Sequence, residues 1–324
     1  MPRVFVRQDA TLRSVAAARV MFFGTRRGGQ EMTEGQTPKA LSREQLERIG
    51  SELNFTIDRA EYLTSGAANH VFRLYSGRGS VIAKLSMTDK ADLFAREAHA
   101  LRHLAATGTV PVPEVLLATP DYLILEDLGD EDKELPDPRW REFGARVGSL
   151  HQVHAERFGY EHDNYIGIWT QRNPWTADWV DFFHANRVLC FLDSGANRQV
   201  LTRQDRDGIE RLFARIRSLI PEQKPSLCHG DLWINNVLRG RSGKIHLLDP
   251  AIHYGLPEAD LAMTQMYGLF PEAFYEGYRE THSLLPDWKE RLPLYQLKEL
   301  VLMIAQFSHA ESLEGLRALI RRFG

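Results

Sequence analysis

A chain of 324 residues, 43% hydrophobic and 26% charged, is long enough for one two-lobed unit or two domains and has the make-up of a water-soluble globular protein. A formal net charge of −3 gives no footprint for nucleic acid, the two cysteines at 190 and 228 give no disulfide framework, and no apolar run nears the roughly 18 residues of a membrane span. Nucleic-acid binding, a disulfide-rich secreted fold and membrane integration drop out, and a reducing, cytoplasmic setting is expected.

Residues 1–30 carry six arginines against one acid, and "GTRRGGQEMTEGQTPK", which begins at Gly24, is Gly-rich and polar. Residues 1–40 are expected to be a disordered extension, or translation begun upstream of Met21 or Met32, in preference to a transit peptide. Order begins at "SREQLERIGSEL", where Ser42 and Gln45 make a capping box and Leu46, Ile49 and Leu53 share a helical face. Next, "EYLTSGAANHVFRLYSGRGSVIAKLS" reads as three strands joined by turns at Ser65 to Ala68 and Gly77 to Gly79. A helix follows over "TDKADLFAREAHALRHLAAT", with Thr88 as cap, a buried stripe of Phe94, Ala98, Leu101 and Leu104, and Gly108 as stop. Two short β-rich runs lead to Gly129 and the acidic linker "GDEDKELPD".

Beyond it, helical spacing dominates over 139–155, 175–193, 202–220, 258–282 and 291–322. The exception is "NNVLRGRSGKIHLLDPA", where two β-type runs flank the turn Gly240 to Gly243. That hairpin folds its ends together, so Asn236 and Asp249 are expected to be neighbours across thirteen residues. The expected fold class is α+β: a small antiparallel sheet lobe with one helix over 41–127, and a larger, mainly α-helical lobe over 128–324.

Phosphoryl transfer from ATP to an alcohol needs Mg²⁺ on the phosphates, a cation beside the non-transferred phosphates, a loop over the nucleotide and a carboxylate that orients the hydroxyl. Asp231 precedes Asn236 by five residues, the interval of the kinase pattern H-R-D-x-x-x-x-N, and Asp249 falls at the metal-binding place of D-F-G. "VIAK" ends at Lys84 as in the V-A-I-K strand, and Glu97 follows in the next helix as a partner. Taken singly, Asp231 and Asn236 read as loop caps and Lys84 with Glu97 as a surface pair; the ordered set favours catalysis over both. His229 reads as a scaffold residue of the loop, since nothing near it has zinc-ligand spacing. "TSGAANH" has one glycine, Gly66, and serves either as a phosphate loop or as a plain β-turn.

"HGDLW" followed by "LLDPAIHYGLPEADLAM" resembles the fructosamine kinase (ketosamine-3-kinase) family, protein-kinase-like phosphotransferases related to aminoglycoside and choline kinases. The resemblance runs from about residue 43 to the end and includes "DNYIGIWTQRNPWTADWVDFFHANR" and "YGLFPEAFYEGY". It implies a two-lobed protein-kinase-like fold, ATP and Mg²⁺ as cofactors, and Asp231 as the catalytic Asp. It further implies Asn236 and Asp249 as metal ligands, Lys84 on the ATP phosphates paired with Glu97, Gly66 in the phosphate loop, and Glu126, Asp127 and Leu128 as the adenine hinge. The implied reaction phosphorylates the carbon-three hydroxyl of a ketosamine, small or protein-bound, and so starts deglycation. Trp233 is expected to line the acceptor site, and Trp175 and Trp179 to line it or to lie in the core. The acidic run from Asp127 to Asp137 is read as a solvated loop in preference to an attractor for cations. Two departures stand out: Ile234 and Asn235 replace the usual Ser-Gly, which adds bulk beside the acceptor site, and the phosphate loop lacks the redox-active Cys found in some members. Other small alcohols as acceptors, and a non-catalytic nucleotide-binding module, remain the alternatives.

Overall fold

The computed structural model describes residues 41–129, 137–266 and 270–324, so the N-terminal extension and most of the acidic linker lie outside the described residues. Helix α1 (Arg43–Leu53) starts at the expected capping box, with the Gln45 N–H donating to Ser42 Oγ at 3.1 Å and the Ser42 N–H to Gln45 Oε1 at 2.9 Å. Strands β1 (Arg59–Ser65), β2 (Asn69–Ser76) and β3 (Gly79–Ser86) form the predicted meander. Helix α2 (Leu93–Thr107) leads to β4 (Val115–Ala118) and β5 (Tyr122–Glu126). The five strands make one antiparallel sheet in the order β1-β2-β3-β5-β4.

Alternation along β5 assigns the two faces of this sheet. Tyr122 and Ile124 join Phe72, Leu74, Ala83 and Ile49 of α1, while Leu123 and Leu125 join Phe94, Ala98 and Leu101 of α2. The lobe therefore carries the capping-box helix on one face and α2 on the other. Thr88 does not cap α2. The helix begins four residues later behind Asp92, whose carboxylate instead accepts from Arg96 and from the Tyr165 hydroxyl. The chain stops the helix at Gly108 in the left-handed region, φ +66°, as expected.

The larger lobe is built on α3 (Asp137–Leu150), the hairpin β6 (Asn164–Ile166) and β7 (Trp169–Gln171), and α4 (Trp179–Phe183). The helical path of α4 continues through a π-helical turn at His184–Leu189 to Cys190–Leu192. Then come α5 (Arg203–Leu219), β8 (Ser226–Cys228), β9 (Val237–Arg239), β10 (Ile245–Leu247) and β11 (His253–Gly255). The chain ends in α6 (Pro257–Met266), α7 (Glu272–Thr281), α8 (Trp288–Phe307) and α9 (Ala310–Phe323). The long helical patterns over 258–282 and 291–322 are thus two helices each. Pro271 occupies the N-cap of α7, and Ser308 turns into the left-handed region, φ +53°, between α8 and α9.

Helices α3 and α7 meet backbone to backbone. A Cβ on Gly277 would stand 1.8 Å from the Arg141 carbonyl oxygen, and one on Gly144 would stand 1.9 Å from that of Phe274. Only glycine admits this crossing, which closes one side of a core that also holds Phe143, Phe274 and Tyr278.

Candidate active site

The stretch "CHGDLWINN" leaves β8 and is held from several directions. Asp260, in the first turn of α6, accepts the backbone N–H of His229 at 2.6 Å and that of Gly230 at 2.9 Å. Lys298 of α8 donates to the Gly230 carbonyl at 3.1 Å. The His229 ring is buried between the Leu248 carbonyl, 3.0 Å from Nε2, and the Asp231 N–H, 3.3 Å from Nδ1. The ring thus ties the start of the loop to the end of the hairpin, as expected of a scaffold position. Gly230 has φ +83°, and a Cβ there would lie 2.1 Å from the Ala251 carbonyl oxygen. Burial pushes the Asp260 carboxyl up, but the bond and charge of His151, the charge of His229 and the Gly230 N–H outweigh it and bring it down to about 2.

Asp231 and Asn236 are joined directly. The Asn236 amide nitrogen donates to the Asp231 carbonyl at 2.8 Å and to its Oδ2 at 2.9 Å. After the 3₁₀ turn Ile234–Asn236, β9 and β10 pair in the expected hairpin, with Leu247 opposite Val237, and the Leu248 N–H donates to the Asn236 carbonyl at 2.9 Å. Asp249 follows at once, with φ +54°. Lys84 on β3 lies opposite Val71 and Leu123, and its ammonium is shared between Glu97 of α2 and Asp249. Burial alone would lower the Lys84 pKa; the carboxylates of Asp249 and Glu97 more than offset it and hold the ammonium charged above its ordinary range. Burial likewise raises Glu97 while Lys84 draws it down.

Two spaces open on this cluster. A cleft of about 510 Å³ lies between the lobes. Val71, Ile82 and Leu125 line it from the sheet, and Leu128, Leu238 and Leu248 form an apolar floor that joins the segment after β5 to the hairpin. Gly66, Glu126, Asp127 and Leu128 all border it. Next to it, a second cavity is bordered by Gly66, Lys84, Glu97, Asp231, Trp233, Asn236 and Asp249, and also by Tyr165, Glu299 and Met303. Trp233 is 4% exposed and belongs to the walls of both spaces.

Several expectations change in detail. Asp127 is not part of a solvated acidic loop, because its side chain is 1% exposed, 2.9 Å from Arg73 Nε, and accepts from Ser80 Oγ at 2.5 Å. Trp179 lies in the core, stacked on Phe183 at 4.6 Å, while Trp175 is 44% exposed against Tyr254; neither borders the cavity. Ile234 packs on the main core and Asn235 borders the interlobe cleft, so the bulk of that pair falls away from the second cavity. Sequence reasoning missed Asp260, Lys298 and Glu299. The available signal was a Lys-Glu pair inside the otherwise apolar run "LKELVLMIA" of α8, where both side chains are buried.

No helix among the described residues is long and apolar enough to cross a membrane. A protein of Synechocystis sp. named a probable ketoamine kinase is 34% identical over 254 residues, covering 75% of this chain and 83% of its own. The crystal structure of a protein titled a putative fructosamine-3-kinase from Thermobifida fusca superposes with a TM-score of 0.77 at 29% identity, covering 85% of this chain and 98% of its own. The aminoglycoside phosphotransferase APH(4)-Ia, 16% identical with a TM-score of 0.60 over 86% of this chain and 98% of its own, shares the protein-kinase-like fold. The family model described as Fructosamine kinase matches residues 39–322, and the chain belongs to the fructosamine kinase family.

Proposed function

We propose that the protein is an ATP-dependent ketosamine 3-kinase. The observation that carries this reading is the convergence of Lys84, Asp231, Asn236 and Asp249 on one cavity whose lining also holds Trp233 and Glu299. In this reading adenine enters the interlobe cleft between Val71, Ile82 and the Leu128, Leu238, Leu248 floor, against the backbone of Glu126 to Leu128. The β1–β2 turn around Gly66 covers the phosphates, and Lys84, kept charged, addresses the non-transferred ones.

Asn236 and Asp249 fit a magnesium ion: an amide oxygen and a carboxylate are hard donors, and the amide nitrogen is already turned to Asp231, which leaves Oδ1 for a cation. Magnesium bound with ATP supplies positive charge to the phosphate oxygens. Asp231 orients the acceptor hydroxyl and takes its proton as that oxygen bonds to the γ-phosphorus and the bond to ADP breaks. Asn236 holds one carboxylate oxygen of Asp231, and His229 and Asp260 hold the loop beneath it.

The acceptor end supports a ketosamine in particular. A protonated secondary amine would find both the indole of Trp233 and the buried carboxylate of Glu299 in the lining of this cavity. Phosphate placed beside the keto carbon becomes a leaving group once the aminoketone shifts to its enamine, so the product breaks down and frees the amine. Turnover of Mg·ATP measured on fructose-lysine, ribulose-lysine, choline and kanamycin tests the assignment. Consumption on the first two is expected, and activity confined to the last two would overturn it.

A further inference from the structure

Away from the ATP and acceptor spaces, imidazoles from both lobes meet around one carboxylate. His99 lies on α2 of the small lobe; Glu161 and His162 lie on the loop before β6 of the large lobe. One ligand-type atom from each falls within 4.8 Å of the other two. His99 Nε2 is 2.9 Å from Glu161 Oε1, and His162 Nε2 is 3.9 Å from the same oxygen. Ligand atoms around a tetrahedral zinc ion stand about 3.3 Å apart, given bonds of about 2.0–2.1 Å, so these separations straddle the required one.

We propose that His99, Glu161 and His162 form a binding site for a zinc-class divalent metal ion that bridges the two lobes. Two imidazoles with one carboxylate select a borderline transition metal over magnesium or calcium, which take all-oxygen sets. The ligands sit on a fixed frame. Gly159 exchanges backbone hydrogen bonds of 3.0 and 2.8 Å with Tyr254, and Asp163 Oδ1 accepts the Asn173 N–H at 2.8 Å, which pins the loop on both sides. The Tyr160 hydroxyl lies 3.0 Å from both His99 Nε2 and His103 Nδ1, so it would give up the first imidazole and keep His103 when that nitrogen takes the metal. The rings of His99 and His162 meet at 78° with centroids 5.0 Å apart, and all three ligands are reached by solvent, which leaves a coordination position for water. Because α2 also carries Glu97, the bound ion would tether that helix to the large lobe.

The test uses the full chain stripped of metal with a chelator and then titrated with Zn²⁺ against a chromophoric competitor, with excess Mg²⁺ to fill the hard-oxygen donors. One equivalent is expected for the unaltered protein, with affinity reduced at least ~100-fold in His162→Ala and in Glu161→Gln, since each removes a direct ligand. Both positions are solvent-exposed, so both variants should keep their zinc-free Mg·ATP turnover as a check on folding. The unaltered protein alone should gain thermal stability from Zn²⁺, and its Co²⁺ form should show the visible absorption of a four-coordinate site. Absence of the tight equivalent, or its persistence in both variants, would overturn the proposal.

Discussion

Asp260 accepts the backbone N–H of Gly230 at 2.9 Å across thirty residues of sequence, and by the same carboxylate it holds His229. The loop that presents Asp231 is therefore positioned by a side chain that touches neither proposed substrate. Asp260→Asn keeps the shape and loses the charge and one acceptor. We expect kcat to fall by about 100-fold, the cost of misplacing a reacting group by an ångström, with the KM for ATP nearly constant. Steady-state kinetics beside circular dichroism would check this, and an unchanged kcat would show that the loop stands without the anchor.

Asp231→Asn separates binding from chemistry. The amide still occupies the place of the carboxylate beside Asn236 but takes no proton, so turnover should drop by roughly 10³-fold. Affinity for Mg·ATP, measured by calorimetry, should stay within a few-fold of the original. Full activity in this variant would falsify the proposed role.

Lys84→Met leaves Glu97 and Asp249 without their shared cation. The Glu97 side chain is only 13% exposed, so loss of the partner should cost about 3 kcal/mol in stability, and the KM for ATP should rise more than tenfold. Urea denaturation together with ATP titration reads both. Unaltered stability would mean that Glu97 takes up a proton at little cost.

Acid should weaken the fold through Asp260. Its folded-state pKa of about 2 lies below its ordinary 3.8, so the stabilisation is fully present above pH 3.8 and disappears as pH falls toward 2. About 2 kcal/mol should be lost across that interval. The half-buried His282, brought down to about 4 by burial first and by the neighbouring His151, acts earlier, its contribution fading as pH falls from 6.5 to 4. In His282→Gln the earlier decline in stability measured against pH should become shallower, with His253, His103 and His246, also held below their ordinary value by burial, keeping part of it, while the later one stays.

Gly277→Ala tests the crossing of α3 and α7. With the Arg141 carbonyl oxygen 1.8 Å from the new Cβ, the helices must part, and a loss of about 2–3 kcal/mol is expected. A melting temperature equal to that of the unaltered chain would refute backbone contact at this seam.

What the sequence disclosed depended on whether the signal was local. The capping box of α1, the meander, and the hairpin that returns Asp249 to Asn236 are written in short-range spacing and turn residues, and each forms where expected. Long helical patterns hid their own breaks, because residues on either side of Pro271 and Ser308 keep nearly the same apolar rhythm. Asp260 was illegible for a different reason, and Lys298 and Glu299 showed only as two charges in an apolar run, with no sign of what they meet. Periodicity says which face of a helix is buried, not which distant loop or cavity that face meets. Thr88 failed as a cap because Asp92, closer to the apolar stripe, marks the true start of α2.

The contact between Lys84 and Asp249 spans 165 positions of sequence and joins β3 of one lobe to the hairpin end of the other. This lysine is the counter-ion of Asp249. A divalent cation arriving with its phosphates would exchange one positive partner for another at Asp249 and pass the lysine to the incoming anion. In the proposed reading, loading would then resemble an ion swap more than the filling of an acidic hole, and Lys84 already serves as a latch between the lobes.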